Sequence, residues 1–121
     1  MTVKLYKGDC LEVMEQIPDK SVDMILCDLP YGPTACKWDI VISFEPLWEQ
    51  YKRIRKDNSA IVLFGSEPFS SYLRMSNIKE YKYDWIWVKD KGSDPLNAKK
   101  RPLNNYENVI IFYNSSSNCF T

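Results

Sequence analysis

Histidine is absent from the 121 residues. That absence removes the Ser-His-Asp triad, the Cys-His nucleophile pair and the usual zinc-protease ligand sets. Cysteine is sparse: Cys10, Cys27, Cys36 and Cys119 contain no closely spaced pair, which argues against a zinc site and for ordinary thiols. No apolar run approaches the roughly 20 residues that a membrane helix requires. The N-terminal stretch Met-Thr-Val-Lys-Leu-Tyr-Lys-Gly-Asp lacks the charged-then-apolar layout of a secretion signal. The expectation is a soluble, cytoplasmic protein with reduced thiols and no membrane partner.

Net charge is missing as well, with 16 basic and 16 acidic side chains, but the two signs are segregated. Residues 1–50 carry 4 basic and 9 acidic groups, whereas residues 51–121 carry 12 and 7. A basic second half suits a polyanion. The cluster Lys52, Arg53, Arg55 and Lys56 is equally well explained as a solvated helix end, where cations oppose the helix dipole. A hydrophobic content of 45% with 14% aromatic residues marks a globular chain of one domain with room for one core.

Val3 to Tyr6 alternates as a short strand should, and Cys10 to Ile17 places Leu11, Met14 and Ile17 on one helical face. After the turn Pro18-Asp19-Lys20-Ser21, Val22 to Cys27 is apolar except for Asp23, as expected of a strand buried on both faces of a parallel sheet. Residues 28–43 contain Pro30, Gly32 and Pro33 without periodicity and read as a loop of functional length. Ser43 can cap a helix from Phe44 to Lys56; Ala60 to Phe64 reads as a second buried strand, and Glu67 to Met75 as a helix behind it. Tyr81 to Val88 and Asn108 to Tyr113 read as an antiparallel pair joined by a polar, basic connection. Tyr81, Tyr83, Trp85 and Trp87 recur with period two, which predicts one strand face packed on the core. The fold class is α/β.

The candidate site lies where the strand ending at Cys27 meets Asp28-Leu29-Pro30-Tyr31-Gly32. In open α/β sheets, ligands sit outside the carboxyl ends of strands, and packing alone does not call for an acid, an imide and an aromatic there. An exocyclic amine on a nucleobase is a poor nucleophile because its lone pair is delocalised into the ring. If the Asp28 carboxylate and the Leu29 carbonyl accept its two hydrogens, the nitrogen is drawn toward tetrahedral geometry and its lone pair faces an incoming methyl group. Pro30 restricts the backbone that carries the Leu29 carbonyl. Fixed acceptors facing developing positive charge act by preorganised electrostatics. Tyr31 offers a face on which an extruded base can stack. The bland reading of the same residues is a turn cap and a core aromatic.

Asp28-Leu29-Pro30-Tyr31 resembles the Asp/Asn/Ser-Pro-Pro-aromatic motif of the amino-methylating DNA methyltransferases, the adenine-N6 and cytosine-N4 enzymes. The likeness is to their permuted, beta-type arrangement, in which the catalytic block precedes the cofactor block, and it covers nearly all of residues 3–113. Leu29 departs from the motif, but the role there belongs to the backbone carbonyl. Gly8-Asp9-Cys10-Leu11 resembles the segment that touches the adenosine part of S-adenosylmethionine, which implies Asp9 and Cys10 as cofactor neighbours. Trp85-Ile86-Trp87-Val88-Lys89 and Asn105 to Phe112 resemble the paired strands of the same catalytic half. Thr34-Ala35-Cys36-Lys37-Trp38-Asp39 is similar to phage and prophage members.

The resemblance implies an incomplete Rossmann-like methyltransferase sheet, with parallel strands followed by a C-terminal antiparallel pair. It implies a partial catalytic domain over residues 1–113, a disordered tail over 114–121, and a C-terminally truncated chain. It also implies S-adenosyl-L-methionine as cofactor and double-stranded DNA as partner, with adenine N6 favoured over cytosine N4. Lys99, Lys100 and Arg101 are the candidate phosphate contacts, with a solvated loop as the alternative. The family's Phe-x-Gly-x-Gly cofactor loop is missing, since Phe64-Gly65-Ser66-Glu67 lacks the second glycine. In the family's sheet, the strand bearing that loop lies between the strand ending at Asp9 and the strand ending at Cys27. Those edges must here pair directly, stay open, or be filled by self-association or a complementing chain. Two other functions fit the residues: methylation of a protein glutamine amide, and a non-catalytic remnant that binds DNA or a partner.

Overall fold

Four apolar-rich segments build one sheet in the computed structural model, which describes residues 2–30, 42–93 and 104–114. β1 (Val22–Cys27) runs parallel to β2 (Arg55–Gly65), and β2 pairs antiparallel with β4 (Asn104–Phe112). β4 pairs antiparallel with β3 (Tyr81–Ser93), giving the order β1-β2-β4-β3. The expected α/β sheet, parallel first and antiparallel at its C-terminal side, is therefore present. α1 (Cys10–Val13), a 3-10 turn (Met14–Gln16), α2 (Phe44–Ile54) and α3 (Phe69–Ser76) complete the described elements.

One face of the sheet is closed by helices. Ile25 of β1, Ile61 and Leu63 of β2, and Ile110 and Phe112 of β4 form a core with Leu47, Trp48, Tyr51 and Ile54 of α2 and Phe69 and Leu73 of α3. Each large side chain buried this way contributes about 1.5–3 kcal/mol. Trp48 stands edge-on to Phe112 at 4.7 Å between ring centroids, and its Nε1 donates to Ser76 Oγ at 2.7 Å, so its one polar atom is satisfied. The opposite face has a smaller cluster made by the sheet itself: Ala60, Val62, Ile111 and Tyr113, flanked by Tyr83 and Val109.

Several expectations are corrected. Residues 2–9 form no strand, and Leu5 is 91% exposed, because no neighbouring strand takes up their hydrogen bonds. Among the described residues β1 pairs only with β2, so the edge of β1 is left open rather than joined to the N-terminal segment. Nor is β1 buried on both faces: Met24 and Leu26 point to the helix-free side and are exposed. The helix expected from Cys10 to Ile17 breaks into one α-turn and a 3-10 turn. α2 stops at Ile54, and β2 starts at Arg55 rather than Ala60. β3 and β4 extend to Ser93 and from Asn104, into the stretch expected to be connection.

The aromatic set of β3 does not share one face. The register shifts between Tyr81 and Tyr83, so Tyr81 joins the helix-covered core while Tyr83 lies against Ile111 and Tyr113 on the other side. Trp85 and Trp87 follow Tyr83 and are exposed, against the expectation of core packing.

Three of the four cations at the end of α2 and the start of β2 are held within the fold. Arg53 donates to the carbonyls of Ile17 (2.8 Å) and Met14 (2.7 Å) and to Asp19 (2.6 Å). Arg55 is held by Glu80, and Lys56 by Asp23 at 2.7 Å. No helix of the described residues is long and apolar enough to cross a membrane. The expected tail lies largely outside the described residues.

Candidate functional site

The carboxyl ends of β1 and β2 lie side by side, because Cys27 is in register with Leu63. Asp28, just past that end, is exposed. Leu29 is 4% exposed and packs into the helix-covered core. Its side chain is thus committed to packing. Pro30 is half-buried. Tyr31 lies outside the described residues, as do Lys99, Lys100 and Arg101.

A second polar turn reaches the same region. Gly8 has φ +146, and a Cβ there would meet Val13 Cγ2 at 3.0 Å, so glycine is needed at the entry to the turn. Asp9 then caps α1, its Oδ1 accepting from the Leu11 N–H at 2.9 Å. Cys10 is exposed. Partial burial, then Asp9, then the neighbouring Cys27 push its thiol pKa up. Leu11, which follows the Asp9-Cys10 turn, and Cys27 both pack on the helix-covered core that also holds Leu29.

Tyr51 is a member of the site region that the sequence reading assigned only to the apolar stripe of α2. It is 5% exposed, and burial followed by the neighbouring Cys27 thiol raises its pKa. Its helical spacing matched that of core residues, and nothing in the pattern marked its hydroxyl.

The exit of β2 is braced by a polar network that was also missed. A Cβ on Gly65 would come within 3.0 Å of Ser70 Oγ, so α3 packs directly against the strand end. Gly65 is opposite Asn108, which is 6% exposed. Ser70 Oγ donates to Asn108 Oδ1 at 3.1 Å, and Asn108 Nδ2 donates to Asp84 Oδ2 at 3.2 Å. Asp84 also accepts from Arg74 Nη2 at 2.5 Å and Tyr81 Oη at 2.8 Å. Arg74 Nη1 reaches Glu67 at 3.0 Å and ties the turn after β2 into the same set. The hydrogen bond to Asp84 is the largest cause of a raised Arg74 pKa, which keeps the guanidinium charged. These residues are far apart in sequence, so no local motif announced them.

No protein-family model matches the chain. It is 29% identical over 113 residues to the type II methyltransferase M.BamHI of Bacillus amyloliquefaciens, covering 84% of this chain and 26% of that protein. It is 28% identical over 126 residues to the DNA adenine methyltransferase YhdJ of Escherichia coli K12, covering 94% and 42%. Among solved structures, the PvuII cytosine-N4-specific DNA methyltransferase superposes with a TM-score of 0.68 over 89% of this chain and 48% of that one, at 16% identity. This is a methyltransferase fold. The Thermus thermophilus protein TTHA0409, solved in complex with S-adenosyl-L-methionine, gives a TM-score of 0.65 at 15% identity, covering 92% of this chain and 55% of that one. The chain spans about half the length of those structures and less than half that of the two curated relatives.

The residues present fit the adenosine side of that cofactor. Asp9 keeps a carboxylate in an exposed turn, with one oxygen fixed by the helix start. Among the described residues no group of three or more Cys, Asp or Glu side chains is arranged to hold a metal ion.

Proposed function

We propose that this chain carries the amine-binding part of an S-adenosylmethionine-dependent methyltransferase acting on an exocyclic amino group of DNA, adenine N6 in preference to cytosine N4. The observation that carries the reading is the exposed Asp28, followed by the core-anchored Leu29 and Pro30, at the carboxyl end of a sheet with a methyltransferase fold. The cofactor supplies an electrophilic methyl group on a sulfonium sulfur. Asp28 and the Leu29 carbonyl accept the two amine hydrogens and stabilise the positive charge that grows on nitrogen. Pro30 restricts the backbone between them and Tyr31, on which the extruded base stacks. The Asp9-Cys10 turn holds the adenosine side of the cofactor. Lys99, Lys100 and Arg101 take phosphates of the duplex.

The open edge of β1 supports a further part of this reading, association through that edge with a second copy or a complementing chain. Relatives named for adenine and for cytosine-N4 both resemble the chain, so the choice of base is tested directly by the product.

Calorimetry of the chain with S-adenosylmethionine tests the cofactor site: a saturable heat that weakens in Asp9→Ala is expected. Absence of any saturable heat would favour a non-catalytic remnant. Methyl transfer from labelled cofactor to DNA is expected to fall by about 10²–10³ in Asp28→Ala, the size of effect seen when one preorganised charge-stabilising group is lost. Label appearing in protein glutamine instead of DNA would replace the substrate.

A further inference from the structure

The outer side of β3 carries a surface that the site at Asp28 does not use. Tyr83, Trp85 and Trp87 follow one another on the helix-free face, and Trp85 and Trp87 are 57% and 52% exposed. Tyr83 and Trp85 are stacked, with 27° between ring planes and 6.5 Å between centroids, and Phe64 of β2 supports Trp87 edge-on at 6.1 Å. The rings are thus held in place from within the sheet while their outer surfaces remain accessible. A lysine brackets each end. Lys82 lies 5.2 Å from the centroid of the Tyr113 ring, and Lys89 lies 5.6 Å from that of Trp87. Glu107 takes one contact from Lys89 at 3.1 Å. The acid within the row, Asp84, is turned to Arg74 and Tyr81 and is mostly buried.

Register fixes where the row leads. Gly65 at the end of β2 is opposite Asn108, whereas Trp87 is opposite Glu107 and Val88 opposite Tyr106. The ribbon of β3 and β4 therefore runs beyond the last residue of β2, toward the end of the sheet where Asp28 lies. From Tyr83 to Trp87 the row is about 13 Å long, and it stands about 14 Å across the sheet from β1.

We propose that this row is a track for unpaired nucleic acid, on which two or three bases stack while Lys82 and Lys89 face the backbone. A four-stranded sheet with helices behind and aromatics in front is suited to that task because every base has a π-face, and lysine supplies the complementary charge. The inference rests on the nucleic-acid reading of the chain but not on methyl transfer at Asp28.

Fluorescence anisotropy of a labelled oligothymidylate, compared with a duplex of the same length, tests it on the 121-residue chain. Single-stranded DNA is expected to bind more tightly than duplex. Loss of one stacking ring costs roughly 5- to 150-fold in affinity, so Trp85→Ala with Trp87→Ala is expected to weaken binding at least tenfold, roughly, while Trp85→Phe with Trp87→Phe retains most of it. Thermal unfolding of the same variants checks that the fold survives. Lys82→Gln is expected to lower the salt slope by about 0.7. Unchanged oligonucleotide binding in a folded double-alanine variant overturns the proposal. So does a sedimentation result in which that variant abolishes self-association without altering DNA binding, which would make the face a protein interface. Thymine carries no exocyclic amine for Asp28 to accept, so oligothymidylate binding reads the aromatic row apart from the site at Asp28, and failure of the catalytic reading and failure of this one are separable.

Discussion

The two faces of the sheet are built from the same strands at alternating positions, yet only one is closed. On the covered side, Leu63, Ile110 and Phe112 are fully buried beneath α2 and α3. On the other, the middle is shielded by the strands' own side chains, while Leu26 at one edge and Trp85 and Trp87 at the other stand exposed. Apolar alternation thus sets which side chains share a face, but burial requires a second layer, and the described residues provide one layer of helices. The covered face holds the fold together, and among the described residues no helix covers the other.

The largest expected separation between the faces comes from Phe112→Ala. Removing a ring packed on Trp48 and Tyr81 should cost about 4 kcal/mol in urea unfolding. A cost near zero would mean that the helices do not pack as described.

Next comes the ion pair at the foot of the covered side. Arg55 is 4% exposed, its Nη1 has no hydrogen-bond partner among the described residues, and its Nη2 is held by Glu80. Glu80→Gln leaves that buried charge uncompensated and should cost about 3 kcal/mol. Burial acts to raise the Glu80 pKa, but hydrogen bonds from Arg55 and Asn77 outweigh it and hold the carboxyl below its ordinary value. A folded-state pKa below the unfolded one gives stability that is fully present above the unfolded value, near ~4.3, and lost as pH falls through the folded value. Unfolding measured through that acid window should therefore fall less steeply in Glu80→Gln than in the wild type. Equal slopes would detach Glu80 from the acid limb.

The smallest effect is expected on the bare side. Leu26→Ala, at a position 62% exposed, should change stability by no more than about 0.5 kcal/mol. A loss comparable to that of Phe112→Ala, and dependent on protein concentration, would show that another copy closes this face in solution.

Much of the fold was legible because local patterns coincide with their tertiary outcome. The spacing of Leu47, Trp48, Tyr51 and Ile54 gave α2 its buried face, and the apolar run from Ala60 to Phe64 is the middle of β2. The strand exit at Asp28 was legible because an acid after an apolar run is conspicuous. Tyr51, Asn108, Asp84 and Arg74 were not, since each meets its partners only after the strands and helices have come together. Val3 to Tyr6 shows the converse: it has a strand's alternation, but a strand also needs a neighbour to take its hydrogen bonds.

By itself the sequence determined the α/β order of elements, the covered stripe of α2, the absence of histidine chemistry and the position of the Asp28-Leu29-Pro30 motif. Tertiary structure alone decided that Leu11 and Cys27 share one core with Leu29, that the register shift after Tyr81 turns Tyr83, Trp85 and Trp87 to the opposite face, and that β1 pairs only with β2 among the described residues. The reason is physical: periodicity is a property of one segment, whereas register, edge pairing and exposure depend on which other segment lies beside it.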